Sequence, residues 1–278
     1  MACNLAVRDG GLERWAGGFY AGRMTYLETA EAAADAAGAI IRPAFRTGLT
    51  ADQKPDLSPV TLADRAAEQA MRAVIAAHHP AHGILGEEFG LDRPHSAWRW
   101  VLDPIDGTRA FITGRPVFGT LIALLHDGVP VLGVIDQPVT GERWIGQAGE
   151  PTRFRGPFGG RAGTRRCATL ALAELSATSP EMLGGRLQDW QRLAGAVRRV
   201  TWGGDCYAYG LLALGQIDIV AERDLKIWDW AALVPVVEGA GGRMVDWQGR
   251  ALTPDSRGEA IAVGDAALLG AAVALLER

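Results

Sequence analysis

The sequence predicts an α+β fold built in packed layers. Three features point that way. Two alanine-rich stretches near the start carry apolar residues at helical spacing. A run of short apolar segments follows, two of them joined at Asp127-Gly128, a hairpin signal. Beyond a break rich in Gly, Pro and Arg, helical and strand patterns alternate to the C-terminus, and helices with strands in both halves imply layers.

The elements follow in order. Residues 26–45 repeat apolar side chains at Leu27, Ala30, Ala34, Ala37 and Ile41, which predicts a long helix ending near Pro43. Residues 48–60, with Pro55 and Pro59, read as a loop or short hairpin. Thr61 suits the cap of a second helix running to about His78, with Asp64 in the capping-box position. Strands are expected at 82–85, 98–102, 117–125, 129–135 and 142–145, and residues 149–166 separate the halves. In the second half the pattern predicts helices at 187–197, 207–214, 230–239 and 266–276. Strands are expected there at 200–202, 217–221, 243–247 and 260–263.

With 278 residues, 48% hydrophobic and 22% charged, the chain can bury a sizeable core as one large domain or two modest ones. A net charge of −4 makes no case for nucleic-acid binding, so an anionic substrate would need local cations or metals. Cys3, Cys167 and Cys206 form no zinc spacing and suggest no disulfide framework, which fits a reducing cytoplasm. No segment approaches the roughly 20 apolar residues of a membrane span, and the N-terminus lacks a signal-peptide core. Residues 1–22, with Trp15, Phe19 and Tyr20, read as an N-terminal extension.

The chemistry concentrates in acids. WVLDPIDGTRAF at 100–111 sets two carboxylates three residues apart at the end of a strand. Pro104 holds Asp103 extended, and Gly107 lets the chain turn sharply. Asp103, Asp106 and the Ile105 carbonyl could then face one point. Hard oxygen ligands without His or Cys suit Mg²⁺ or Mn²⁺ rather than zinc. Asp-Pro and Asp-Gly are also ordinary turn formers, and paired glutamates such as Glu87 and Glu88 commonly face solvent.

A larger pattern decides between these readings. KPDLSPVTLAD at 54–64, GEE at 86–88, DPIDGT at 103–108 and WDWAA at 228–232 occur in that order. Together they resemble the inositol monophosphatase family of magnesium-dependent phosphatases, from about Met24 to the C-terminus. The resemblance implies an α/β/α/β/α sandwich. Its first part, 23–150, would carry most metal ligands. A linker, 151–166, would lead to a second part, 167–278, supplying Asp229 and the substrate-recognition residues. It implies that Glu87, Asp103 and the Ile105 carbonyl hold a first Mg²⁺, and Asp103, Asp106 and Asp229 a second. Glu87 would also orient water at a looser third site. Glu88 would be a supporting residue, Thr108 and Asp64 the pair that positions the attacking water, and Lys54 a loop lysine nearby. Gly107 and Thr108 would offer backbone N–H groups to a phosphate monoester. Taken alone, Lys54 could be a solvated loop charge, Thr108 a cap and Asp64 a helix-start residue. A homodimer is also implied.

Residues 112–146, 203–222 and 225–242, with TSPEM at 178–182, further resemble the bacterial histidinol-phosphatase branch. That branch implies L-histidinol phosphate as substrate, within histidine biosynthesis; inositol phosphate or a small sugar phosphate is the alternative. An ammonium needs acceptor oxygens, and Asp205 and Glu222 could supply them. Asp205 could equally cap a helix. Trp228 and Tyr207 could stack on an imidazole or pack in the core. Arg109, Arg115 and Arg153 find no definite place. His78, His79 and His82 read as surface or helix-end residues, and Cys206 as a small buried residue.

Overall fold

The computed structural model describes residues 24–47 and 62–277, with the backbone of 52–53 and 59–60 between them. Lys54, Thr61 and the N-terminal extension lie outside the described residues. Helix α1 spans Tyr26–Ala44. It opens with a full capping box, in which Glu28 N–H donates to Thr25 Oγ1 at 3.2 Å and Thr25 N–H to Glu28 Oε2 at 2.7 Å. Strands β1 (Asp52–Gln53) and β2 (Pro59–Val60) form a short antiparallel ladder, and α2 runs over Leu62–His78.

Seven strands then build the larger sheet: β3 (Gly83–Gly86), β4 (Gly90–Asp92), β5 (Trp98–Asp106), β6 (Gly119–His126), β7 (Val129–Gln137), β8 (Glu142–Gln147) and β9 (Arg153–Arg155). Their order is β4-β3-β5-β6-β7-β8-β9, antiparallel except for the parallel β3–β5 pair. A short helix, α3 (Thr108–Ile112), leaves the end of β5. β10 (Glu174–Ala177), β11 (Arg199–Trp202), β12 (Ile219–Glu222), β13 (Arg243–Val245) and β14 (Ala260–Val263) form the smaller sheet, in the order β11-β10-β12-β14-β13. Around it lie α4 (Pro180–Leu183), α5 (Leu187–Ala196), α6 (Asp205–Ala213), α7 (Ile227–Trp230), α8 (Leu233–Gly239) and α9 (Leu269–Leu276).

These elements stack as α/β/α/β/α. The alanines of α1 (Ala30, Ala33, Ala34, Ala37) let it approach α2 closely, and both helices bury Ile41, Met71 and Ile75 against Trp100, Leu102 and Ile122 of the larger sheet. The middle layer is α6, α7 and α8, which packs Tyr209, Leu212, Trp230 and Val236 between the two sheets. The outer layer is α5 with α9, joined to the far face of the smaller sheet through Trp190, Leu193, Trp247 and Leu276.

Within the segment that the sequence suggests as a linker, β9 pairs with β8 at the sheet edge. Its Arg165 meets the buried Asp218 with two hydrogen bonds, 2.7 and 2.5 Å, and so ties the segment to the smaller sheet. The expected helix at 230–239 is two helices, α7 and α8, broken at Ala231 and Ala232. No helix among the described residues is long and apolar enough to cross a membrane.

Candidate active site

Residues three apart on a regular strand point to opposite faces of the sheet. Asp103 and Asp106 escape this rule because β5 is irregular between them: Asp103 pairs with Leu121 while Asp106 pairs with Gly119. The Thr120 hydroxyl fastens the distortion by donating to Pro104 O at 2.7 Å. Asp229 arrives from α7 in the middle layer, where Lys226 N–H donates to its Oδ2 at 2.6 Å. Carboxylate oxygens of Asp103, Asp106 and Asp229 lie within 4.8 Å of one another. A second acidic group, Asp64, Glu87 and Glu88, meets the same limit, with Asp64 from the first turn of α2 and the glutamates from the turn after β3.

Such proximity is unfavourable for bare carboxylates. Burial, then Glu87, Asp106, Asp229 and Asp64, pushes the Asp103 carboxyl well above its ordinary range. Burial, then Asp205 and Asp229, does the same to Asp106, although Cys206 N–H donates to its Oδ2 at 2.7 Å. Asp229 keeps some surface in the cavity, but its carboxyl group is enclosed, and burial pushes it up to about 7. One oxygen of Asp103 is buried without a hydrogen-bond partner. A crowded set of oxygen donors with an orphaned acceptor fits a divalent cation, and each acidic group could hold one.

Beside Asp106 and Asp229 opens a cavity of about 430 Å³. Gly107, Thr108, Arg109, Arg115, Thr178, Ser179, Met182, Asp205 and Glu222 are among the residues that line it. Gly107 has φ 83°, and a Cβ there would stand 2.8 Å from Asp205 Cγ, so only glycine fits without strain. Thr108, the first residue of α3, donates its hydroxyl to Ile105 O at 3.1 Å. Glu222 accepts from Thr178 N–H at 2.7 Å and Tyr209 OH at 3.0 Å, and burial raises it to about 6. Burial also raises Asp205 to about 6, against the pull of Arg115 and Arg109.

Several expectations change. Asp205 is not the cap of α6: Gly204 holds that position, and Asp205, at φ 44°, begins the helix with its side chain on the cavity wall. The first helical N–H groups are served in part by Asp106, through Cys206 N–H. Tyr207 and Trp228 pack on the central core, where Tyr207 OH donates to Glu142 at 2.6 Å; Tyr209 lines the cavity instead. His79 and His82 are packed rather than superficial. His79 Nε2 lies 2.9 Å from Thr29 Oγ1, and His82 stacks on Trp98 and meets Trp100 Nε1 at 3.2 Å. Cys206, by contrast, is the small buried residue the sequence suggests, and burial drives its thiol well above the ordinary range, which disfavours a thiolate there. Arg153 sits on the edge strand β9. Pattern reading missed Tyr209 and the buried Glu68. A charge at helical spacing from Asp64 within the apolar stripe of α2 was the available signal for the latter.

Comparison with known proteins agrees with the fold. The model of the inositol monophosphatase family matches residues 23–277. A chloroplastic bifunctional phosphatase of Arabidopsis thaliana, IMPL2, is 46% identical over 85% of this chain and 68% of its own. A histidinol-phosphatase of Mycobacterium tuberculosis is 41% identical over 80% of this chain and 88% of its own. The solved structure of an inositol monophosphatase from Zymomonas mobilis superposes with a TM-score of 0.83 at 50% identity, over 92% of this chain and 100% of that one.

Proposed function

Since the chain belongs to the inositol monophosphatase family and is a phosphomonoesterase by that membership, we propose that it hydrolyses small-molecule phosphate esters broadly, inositol phosphate among them. The observation that carries the proposal is the meeting of Asp103, Asp106 and Asp229 within 4.8 Å, two of them, Asp106 and Asp229, lining the cavity. Asp103, Asp106 and Asp229 would hold one divalent cation, and Glu87, Asp103 and the Ile105 carbonyl another, with Glu88 in support. Mg²⁺ suits these oxygens best, two or three ions per site, and Mn²⁺ would also fit. Bound cations would offset the carboxylate charge, draw in the phosphate and ease deprotonation of the attacking water.

The chain's own groups would do the rest. Thr108 gives its hydroxyl proton to Ile105 O, so its oxygen remains an acceptor for a water proton, and Asp64 would be the second acceptor. Gly107 and Thr108 N–H groups would grip the phosphoryl oxygens, and the family resemblance would add Lys54, which lies outside the described residues, to them. The water would then stand in line with the ester oxygen.

Histidinol phosphate is a second, narrower reading. It is favoured by the two carboxylates, Asp205 and Glu222, that line the cavity and suit an ammonium. Relatives named for each substrate support the broader reading over this one. A cytoplasmic homodimer belongs to the same proposal. Phosphate release from a panel of inositol 1-phosphate, histidinol phosphate and sugar monophosphates, compared by kcat/KM, tests it. Comparable turnover of several esters is expected; a preference for histidinol phosphate of more than about 100-fold would replace the broad reading with the narrow one. No turnover of any ester with Mg²⁺ present would end both.

A further inference from the structure

The turn that carries Glu87 and Glu88 is gripped from beneath by an ion pair whose carboxylate is buried. Glu68 lies one helical turn after Asp64 on α2 and is fully buried. Its Oε2 accepts from Glu88 N–H at 2.7 Å, and its Oε1 from Phe89 N–H at 3.3 Å. Arg72, one turn further on, donates from Nε to Glu68 Oε1 at 2.7 Å and from Nη2 to Gly90 O at 2.5 Å. Three consecutive backbone groups of one turn are thus held by two side chains of one helix. The turn has yielded space for them: a Cβ on Gly86 would stand 2.0 Å from Glu68 Oε1, a distance that admits only glycine.

A buried carboxylate is costly unless it is paired and hydrogen-bonded. This one makes two hydrogen bonds to the turn, so its burial is tied to that turn's conformation. The same helix also presents Asp64, whose carboxylate meets those of Glu87 and Glu88. We propose that Glu68, locked by Arg72, is a positioning residue: it fixes the turn after β3, and so keeps Glu87 placed as a ligand for a divalent cation, with Glu88 in support. This rests on the reading that Glu87 takes part in metal binding. Residues that orient ligands from behind commonly account for a 10- to 100-fold difference in metal affinity.

The test is calorimetric titration of Mg²⁺ into metal-free protein without substrate, beside a thermal melt of each variant. In Glu68→Gln one of the two oxygens becomes an N–H donor. Whichever way the amide turns, it faces at least one of the donors Glu88 N–H, Phe89 N–H and Arg72 Nε. The expected result is a rise of about 10- to 100-fold in the Mg²⁺ Kd in protein that is folded at the titration temperature. The kcat at saturating Mg²⁺ should stay within about threefold of wild type, a split that a merely structural role would not produce. Wild-type affinity in folded Glu68→Gln would overturn the proposal and leave the metal reading standing. Wild-type protein that takes up no Mg²⁺ would end the metal reading and this proposal with it. Should Glu68→Gln fail to fold, Arg72→Lys carries the test. It keeps the charge but cannot reach Glu68 and Gly90 O together, so a smaller rise in Kd is expected, and an unchanged Kd in folded protein would overturn the proposal.

Discussion

Asp229→Asn should make the metal-free protein more stable, and increasingly so as pH rises. The carboxyl is enclosed, and burial pushes it from 3.8 to about 7 in the folded chain. An acid whose folded pKa is raised loses stability as pH climbs from the unfolded value through the folded one. Holding the ionised Asp229 in the fold therefore costs on the order of 4 kcal/mol near pH 8, and about 2 kcal/mol near pH 5, where the group is still largely protonated. Asparagine removes that cost and can keep the hydrogen bond from Lys226 N–H through its carbonyl oxygen. Losing the charge also relieves Asp103 and Asp106, whose carboxyls Asp229 raises. The advantage of the variant should therefore grow by about 2 kcal/mol between about pH 5 and pH 8. Urea denaturation of both proteins in chelator, at the two pH values, reads it. The difference between the proteins matters rather than wild type alone, because His82, lowered to about 4 by burial, His79 and Arg93, contributes the opposite slope to both. Mg²⁺ at 100 times its Kd should return about 2.7 kcal/mol to wild type and far less to the variant. A difference independent of pH, or equal stabilisation of both by Mg²⁺, would refute the reasoning.

Other expectations follow from the same geometry. Asp106→Asn should lower kcat by more than about 100-fold while the circular dichroism spectrum is kept, since Asp106 both faces the cavity and joins the acidic group; an unchanged rate would remove it from the essential set. Glu222 and Asp205 both titrate near 6, so below that pH each loses its attraction for an ammonium. The KM for histidinol phosphate should fall as pH rises through about 6, relative to the KM for inositol phosphate, and parallel profiles would exclude a charge role for both acids. Gly107→Ala should lower stability by about 1–3 kcal/mol in thermal melts, because alanine at φ 83° is strained and its Cβ meets Asp205; an unchanged melt would deny the close approach.

Sequence pattern and structure agree where one physical signal dominates. The alanine stripe of α1 and the Asp127-Gly128 turn between β6 and β7 are local, and both stand where the periodicity puts them. The acids at 103 and 106 are also visible, but the irregularity in β5 that turns them to one side is a matter of pairing with β6, whose Thr120 hydroxyl donates to Pro104 O. Asp205 shows a similar limit. A glycine pair before an apolar helix suggests a cap, yet the left-handed backbone at Asp205 moves the cap back to Gly204 and turns the carboxylate to the cavity. The histidines at 78–82 read as exposed because the second helix ends there. Contacts with Thr29 and Tyr26 of α1 and with Trp98 and Trp100 of β5, distant in sequence, bury His79 and half-bury His82. Short elements such as β4, β9 and α4 owe their form to pairing and packing more than to their own composition.

The central claim is that acids from α2, the β3 turn, β5 and α7 together hold divalent cations beside the phosphate end of the cavity. Anomalous scattering from crystals soaked in Mn²⁺ tests it most directly. The account predicts one strong peak among Asp103, Asp106 and Asp229 and another beside Glu87. Well-ordered manganese bound elsewhere, with neither position occupied, would contradict it.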